Sequence, residues 1–223
     1  MKERPILFST QRVAALLSGQ QTQTRRIMKS FAFSRGQDNH EGCYGFDVTS
    51  HHQQGFYALG MEDVNRHCPF GQPGDRLWVR ETWRGPVVPP ERLEEYARAP
   101  DTFRQARWCQ YLADRGSAIA AETDRDAAGW QTAVHMPRWA SRLHLQIDAV
   151  RVERLHDISE ADVVAEGIGP GHHFLNQFFA EPGSAPSART RYKQYWEKHY
   201  GPNSWNVNPW VWVIDFHILP AAA

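Results

Sequence analysis

Hydrophobic and polar positions along the chain mark out short elements from the first residues onward. Ile6-Leu7-Phe8 reads as a short buried strand. Val13, Leu16 and Leu17 fall at i, i+3 and i+4, which predicts one apolar stripe on a helix. Ser9 or Thr10 can cap that helix, and Gly19 suits the left-handed position past its end. Residues 30–67 are rich in Gly, His and Gln with weak periodicity, which predicts loops with short strand pieces. The turn cluster Cys68-Pro69-Phe70-Gly71-Gln72-Pro73-Gly74-Asp75 leads into a strand over 77–81. Helices are expected near 90–97 and 101–114. Leu143, Leu145 and Ile147 then alternate with Arg142, His144 and Gln146, and Val150 and Val152 continue the strand after a break. Ser159 and Asp162 form a near capping box, Ile158 and Val163 sit where a hydrophobic staple forms, and Gly167 ends the helix. Another helix is predicted over 190–200 and a final buried strand over 210–216.

Short strands interleaved with few helices favour an α+β fold with a small mixed or barrel-like sheet. Regular strand–helix alternation is missing, so a doubly wound fold is not expected. At 223 residues the chain suits a single domain with insertions near 30–67, 85–130 and 168–188. No apolar run reaches membrane-spanning length, the three cysteines show no disulfide framework, and no secretory signal is visible, so the cytoplasm is the default compartment. The formal net charge is zero, which argues against gripping long stretches of nucleic acid duplex but not against a nucleoside or a short single strand. A phosphate-binding Gly-rich loop is missing, which disfavours nucleotide triphosphate chemistry. His40, Cys43, His51, His52, His67 and Cys68 match no zinc spacing. Neither a metal nor a cofactor is expected.

The candidate chemistry concentrates in Gly19-Gln20-Gln21-Thr22-Gln23-Thr24-Arg25-Arg26, just past the first helix. Hydroxyls, amides and guanidinium forks crowd there, a set that cannot build a core and suits recognition of phosphate or carboxylate by Arg25 and Arg26. Glu166, next to Gly167, meets the negative end of its helix dipole at a cost of about 0.3–1 kcal/mol. That bias against its charge is one a general base uses. Nine tryptophans offer flat walls on which bases stack. Trp78, Trp83 and Trp139 stand nearest the polar blocks, with Arg138 beside them, whereas Trp210 and Trp212 share a strand face and suit the core.

The pattern Gly19-x-Gln21-x-x-Thr24-x-Arg26 resembles the signature of ASCH domains, which have a PUA-like fold and read Gly-x-Lys-x-x-Glu/Thr-x-Arg there. Gly74-Asp75-x-Leu77 resembles that family's turn into a barrel strand, residues 155–160 running on to Glu166 resemble its second helix, and 210–216 its closing strand. The Cys68–Asp75 and His135–Ser141 blocks resemble a longer phage and prophage-associated branch. The resemblance implies a small mixed β-barrel flanked by helices, with a cleft for RNA or a modified nucleoside. Some short members are amidohydrolases that deacetylate N4-acetylcytidine with a Lys, a Thr and a Glu. By position these are Gln21, Thr24 and Glu166, so the lysine is replaced by an amide. An amide neither takes a proton nor activates a hydroxyl; it donates and accepts hydrogen bonds. The implied alternatives are an amidohydrolase with Glu166 as base and Gln21 orienting the carbonyl, a non-catalytic RNA-binding module, and a ribonuclease in which Arg25 and Arg26 hold the phosphate. Trp78, Arg138 and Trp139 complete the expected binding surface.

Overall fold

The computed structural model describes residues 1–28, 65, 67–115, 129–168 and 187–220, with the backbone of three strands between 33 and 59. Five strands form a mixed sheet: β1 (Glu3–Leu7), β2 (Gln23–Ile27), β6 (Arg76–Arg80), β9 (His144–Arg154) and β10 (Trp210–Ile218), in the order β1-β6-β9-β10-β2. β1 and β6 run parallel and the other ladders are antiparallel. β3 (Phe33–Arg35), β4 (Tyr44–Asp47) and β5 (Phe56–Leu59) form a separate antiparallel sheet within the first expected insertion. β7 (Trp83–Arg84), just before the second, pairs with β8 (Gln110–Tyr111) inside it. Among the described residues four helices accompany them: α1 (Thr10–Leu17), α2 (Leu93–Arg98), α3 (Glu160–Ala165) and α4 (Ala188–Tyr200).

Strand alternation sends successive side chains to opposite faces of the sheet. On one face Ile6, Leu77, Val79, Leu145, Ile147, Val150, Val152, Trp212, Ile214 and Phe216 pack with Val13 and Leu16 of α1. On the other, Val211 and Val213 pack with Val163 of α3 and Tyr192, Tyr195 and Trp196 of α4. A third, smaller cluster joins Trp83, Tyr111, Met136 and Ala140. The mixed α/β character matches the expectation from sequence. A closed barrel does not form among the described residues: β1 and β2 lie at opposite edges with no ladder between them. A side chain spans that gap instead, as Arg26 Nη2 donates to the Leu7 carbonyl at 2.6 Å.

Several local expectations need correction. Leu17 is exposed, whereas Arg12 and Ala15 are buried with Val13 and Leu16. The buried arc of α1 is therefore centred on the Arg12 side of the stripe. No helix forms over 101–114. Three 3-10 turns and β8 stand there, because backbone groups pair across the chain: Val87 N–H donates to the Trp108 carbonyl at 2.6 Å and Leu112 N–H to Thr82 at 3.0 Å. Tertiary pairing overrides the i, i+3, i+4 spacing of Trp108, Tyr111 and Leu112. The break in alternation before Val150 does not end the strand: β9 runs unbroken for 11 residues. Its register against β10 shifts at Asp215/Phe216, leaving Asp148 as the extra residue of a bulge.

The caps follow the sequence closely. Ser9 accepts from Arg12 N–H, and Ser159 and Asp162 form a reciprocal capping box. Gly19 takes φ +70°, which lets its N–H and that of Gln20 close on the Leu16 and Ala15 carbonyls. Gly167 takes φ +80°, and a Cβ there would meet Ala15 Cβ at 3.2 Å and Gln21 Cβ at 3.4 Å. That close approach seats the end of α3 on Gln21.

Candidate functional site

The octet after α1 is not a solvated loop. Gln21, Gln23, Thr24 and Arg25 are buried, and residues from Gln23 onward form β2. Gln21 pairs with Glu166 in an isolated antiparallel bridge, and Thr22 N–H donates to the Ala165 carbonyl at 2.9 Å. The end of α3 thus continues the sheet edge, and this brings Glu166 to Gln21 from far along the chain.

Around them sits a network of buried charges. Arg12 ion-pairs with Glu166, donates from Nη1 to Tyr195 Oη at 3.1 Å, and from Nε to Gln21 Oε1 at 3.2 Å. Gln21 Nε2 donates to the Gln23 carbonyl at 2.9 Å. Arg25 reaches Glu153 at 3.1 Å, Asp162 at 3.2 Å and Glu166 at 3.7 Å. Tyr192 Oη donates to Glu166 Oε1 at 3.4 Å. The Glu166 and Arg25 side chains are fully shielded from solvent. Burial works against the charge on Arg12, but Tyr195 and Glu166 outweigh it and raise its pKa above the usual arginine value.

Asp162 serves the network as well as its capping box, accepting from Gln23 Nε2 at 3.0 Å and Arg151 Nη2 at 2.8 Å. Burial pushes its pKa up, but hydrogen bonds from Ser159 and Gln23 and the Arg25 charge outweigh that and hold it well below the ordinary 3.8. A lowered folded-state pKa means this stabilisation is complete above the unfolded value and fades as the pH falls below it. Asp162→Asn is therefore expected to lose most stability at neutral pH. The gap to the parent should narrow from about pH 4 downward, read as urea midpoints at pH 7 and pH 3. An equal gap at both pH values would contradict this role.

Thr24 stands apart. Its cross-strand neighbour is Ile214 of the α1-side core, so its side chain leaves β2 on the opposite face from Gln23 and Arg25. Its hydroxyl is buried with no hydrogen-bond partner. The structure thus joins Gln21 and Glu166 but puts the Thr24 hydroxyl across the sheet from the Arg25–Glu166 network.

Arg26 opens onto a pocket between the end of β1, α1, β2 and α4. Leu7, Ser9, Arg12, Arg25 and Arg26 line one side, and Tyr195, Trp196, His199 and Tyr200 the other. It encloses about 290 Å3, counting space open to solvent. Arg26 makes no ion pair with a carboxylate among the described residues; its guanidinium lies 5.0 Å over the Phe8 ring and reaches Leu7. Burial and the neighbouring Arg12 lower its pKa. Burial, followed by the charges of Arg26 and Arg12, likewise lowers that of His199.

The remaining expected residues lie at the other edge of the sheet. Arg138 forks onto Glu3 at 2.9 and 2.8 Å and lies 6.0 Å over the Trp78 ring, while Arg80 lies 5.5 Å over the same ring. Trp139 packs edge-on against Trp83 at 5.5 Å, and Trp83 is core. None of these residues lines the Arg26 pocket. Trp212 is core, as expected. A second buried carboxylate, Glu81, has its pKa raised by burial and is held by the Arg142 fork at 2.9 and 3.0 Å. That pair braces the third core. His40, Cys43, His51 and His52 lie outside the described residues. Cys68 is buried with its thiol pushed up to about 11 by burial, which disfavours the thiolate a metal needs. Among the described residues no group of three His, Cys, Asp or Glu side chains is placed to hold a metal, and no helix is long and apolar enough to cross a membrane.

No family model matches the chain, and no curated protein or solved structure matches it either. The functional reading rests on the residues themselves. Sequence reasoning missed Arg12, Tyr195, His199 and Tyr200. Signals for three of them were present. Phe8, Arg12 and Leu16 recur every four residues, placing an arginine in an apolar line. Tyr192, Tyr195, Trp196 and His199 recur at helical spacing on α4.

Proposed function

We propose that the protein is a binding module for single-stranded RNA or a modified nucleoside, and that the Arg26 pocket is its recognition site. The observation that carries this reading is Arg26: a partly buried arginine with no carboxylate partner among the described residues, set beside aromatic rings and a histidine. Such a fork suits phosphate oxygens, and the rings suit bases. Neutral net charge fits recognition at one place better than tracking along a duplex. The resemblance to ASCH domains favours the same ligand class. On this reading the sheet is a PUA-like barrel left open between β1 and β2, with the ligand at the opening.

Binding is the reading favoured over amide hydrolysis. Glu166 is occupied by Arg12, Arg25 and Tyr192, and the Thr24 hydroxyl leaves the sheet on the other face. A ribonuclease needs a paired acid and base at the phosphate, and among the described residues His199 is the single histidine lining this pocket.

Fluorescence anisotropy with labelled single-stranded RNA tests the proposal. Arg26→Met is expected to weaken binding by roughly 10- to 100-fold, since hydrogen bonds to a charged group contribute about 1.5–3 kcal/mol. Arg26→Lys, which keeps charge but loses the fork, should fall between. Failure of the parent protein to bind any RNA or N4-acetylcytidine refutes the proposal. Release of cytidine from N4-acetylcytidine would move the reading to an amidohydrolase.

A further inference from the structure

We propose that the Arg26 pocket is a terminal-phosphate site, taking the phosphomonoester at the end of an RNA strand while the bases stay outside. This rests on the reading above that RNA is the ligand.

The pocket has a buried floor and an open rim. The Arg12 and Arg25 side chains are 9% and 0% exposed, and Tyr195 and Trp196 are buried beside them. Leu7, Ser9 and His199 are exposed at the rim. A polynucleotide cannot pass through a closed floor, so only a chain end or a branch reaches it.

The polar groups match an oxyanion with several oxygens. Glu166 already neutralises Arg12 and contributes to Arg25 from behind the floor, which leaves Arg26 as the lining arginine without a carboxylate among the described residues. The Nε groups of both Arg25 and Arg26 are buried with no hydrogen-bond partner. Buried donors are almost always paired in native proteins, so the Arg26 Nε on the pocket wall is a donor left for an acceptor that binds there. Tyr195 Oη accepts from Arg12, and its own proton remains to donate. At the rim the His199 and Tyr200 rings meet at 4.8 Å, where the first base can rest on an aromatic face. A phosphate beside His199 would also offset the two arginine charges that disfavour its protonation.

The test uses one RNA sequence prepared with a 5′-phosphate, with a 3′-phosphate, and with hydroxyls at both ends, titrated into the full chain. The expected result is at least tenfold tighter binding of one phosphorylated form over the hydroxyl form. Arg26→Met should reduce that preference to twofold or less, with its folding checked by melting. Arg26→Lys should retain an intermediate preference even if Arg26→Met melts early. A preference for either end supports the inference and identifies the terminus. Equal affinity for all three forms overturns it and leaves RNA recognition standing. Binding of none of them overturns the inference, and the recognition reading with it if N4-acetylcytidine is not bound either.

Discussion

Replacing Glu166 with glutamine is expected to lower stability by about 3–5 kcal/mol, the usual consequence of removing one partner from a buried ion pair. For a chain of this size that is a loss of roughly 6–20 °C in melting temperature. The side chain is fully shielded and is the only carboxylate paired with Arg12 among the described residues. An amide at 166 leaves Arg12 charged and buried against groups that can only accept hydrogen bonds from it. Arg25 suffers less, because Glu153 and Asp162 remain at 3.1 and 3.2 Å. This asymmetry gives a second expectation within the same experiment. A double variant, Arg12→Met with Glu166→Leu, removes the inner pair whole and should recover much of the loss, since buried pairs exchanged for apolar groups are often neutral or stabilising. A single variant melting within about 1 °C of the parent would mean that the pair carries no such weight.

The same pair marks where the sequence was legible and where it was not. Helix ends were written locally and read well: Ser9, Gly19, the Ser159–Asp162 box and Gly167 all do what their chemistry suggests. The strands β6, β9 and β10 were legible because one buried face imposes period two. The segment over 101–114 failed because its backbone pairs with residues 82–87, a choice that no local pattern records. Among the described residues the expected barrel stays open for a related reason, since which edges pair depends on tertiary geometry. The octet enters the buried interior as part of β2, contrary to the expectation that its polar side chains cannot build a core. A polar residue is buried where partners await it, and those of Gln23 and Arg25 come from β9, α3 and β10. Period two along β2 also separates Thr24 from Arg25, a consequence available once the octet is known to be strand.

Gln21→Lys is the second large effect, and it addresses the one position where the chain departs from the ASCH pattern. Gln21 is 1% exposed; its amide accepts from Arg12 Nε at 3.2 Å and donates to the Gln23 carbonyl at 2.9 Å. A lysine cannot accept, so Arg12 loses a buried partner at a cost of about 1–3 kcal/mol. It also sets an ammonium beside a guanidinium, with Glu166 their shared carboxylate. Two cations competing for one buried carboxylate add repulsion and desolvation to the lost hydrogen bond. The variant is therefore expected to melt several degrees below the parent. It should release no cytidine from N4-acetylcytidine, because an amine at 21 lies on the Glu166 side of β2 while the Thr24 hydroxyl lies on the other. Lowering the pH should soften the repulsion little, since neither cation titrates there. A Gln21→Lys protein as stable as the parent, or one that yields cytidine, would mean that the glutamine is an incidental replacement within an amidohydrolase site. The expected result would instead assign Gln21 the role its contacts describe: the neutral link that lets Arg12 and Glu166 share a buried site at the floor of the Arg26 pocket.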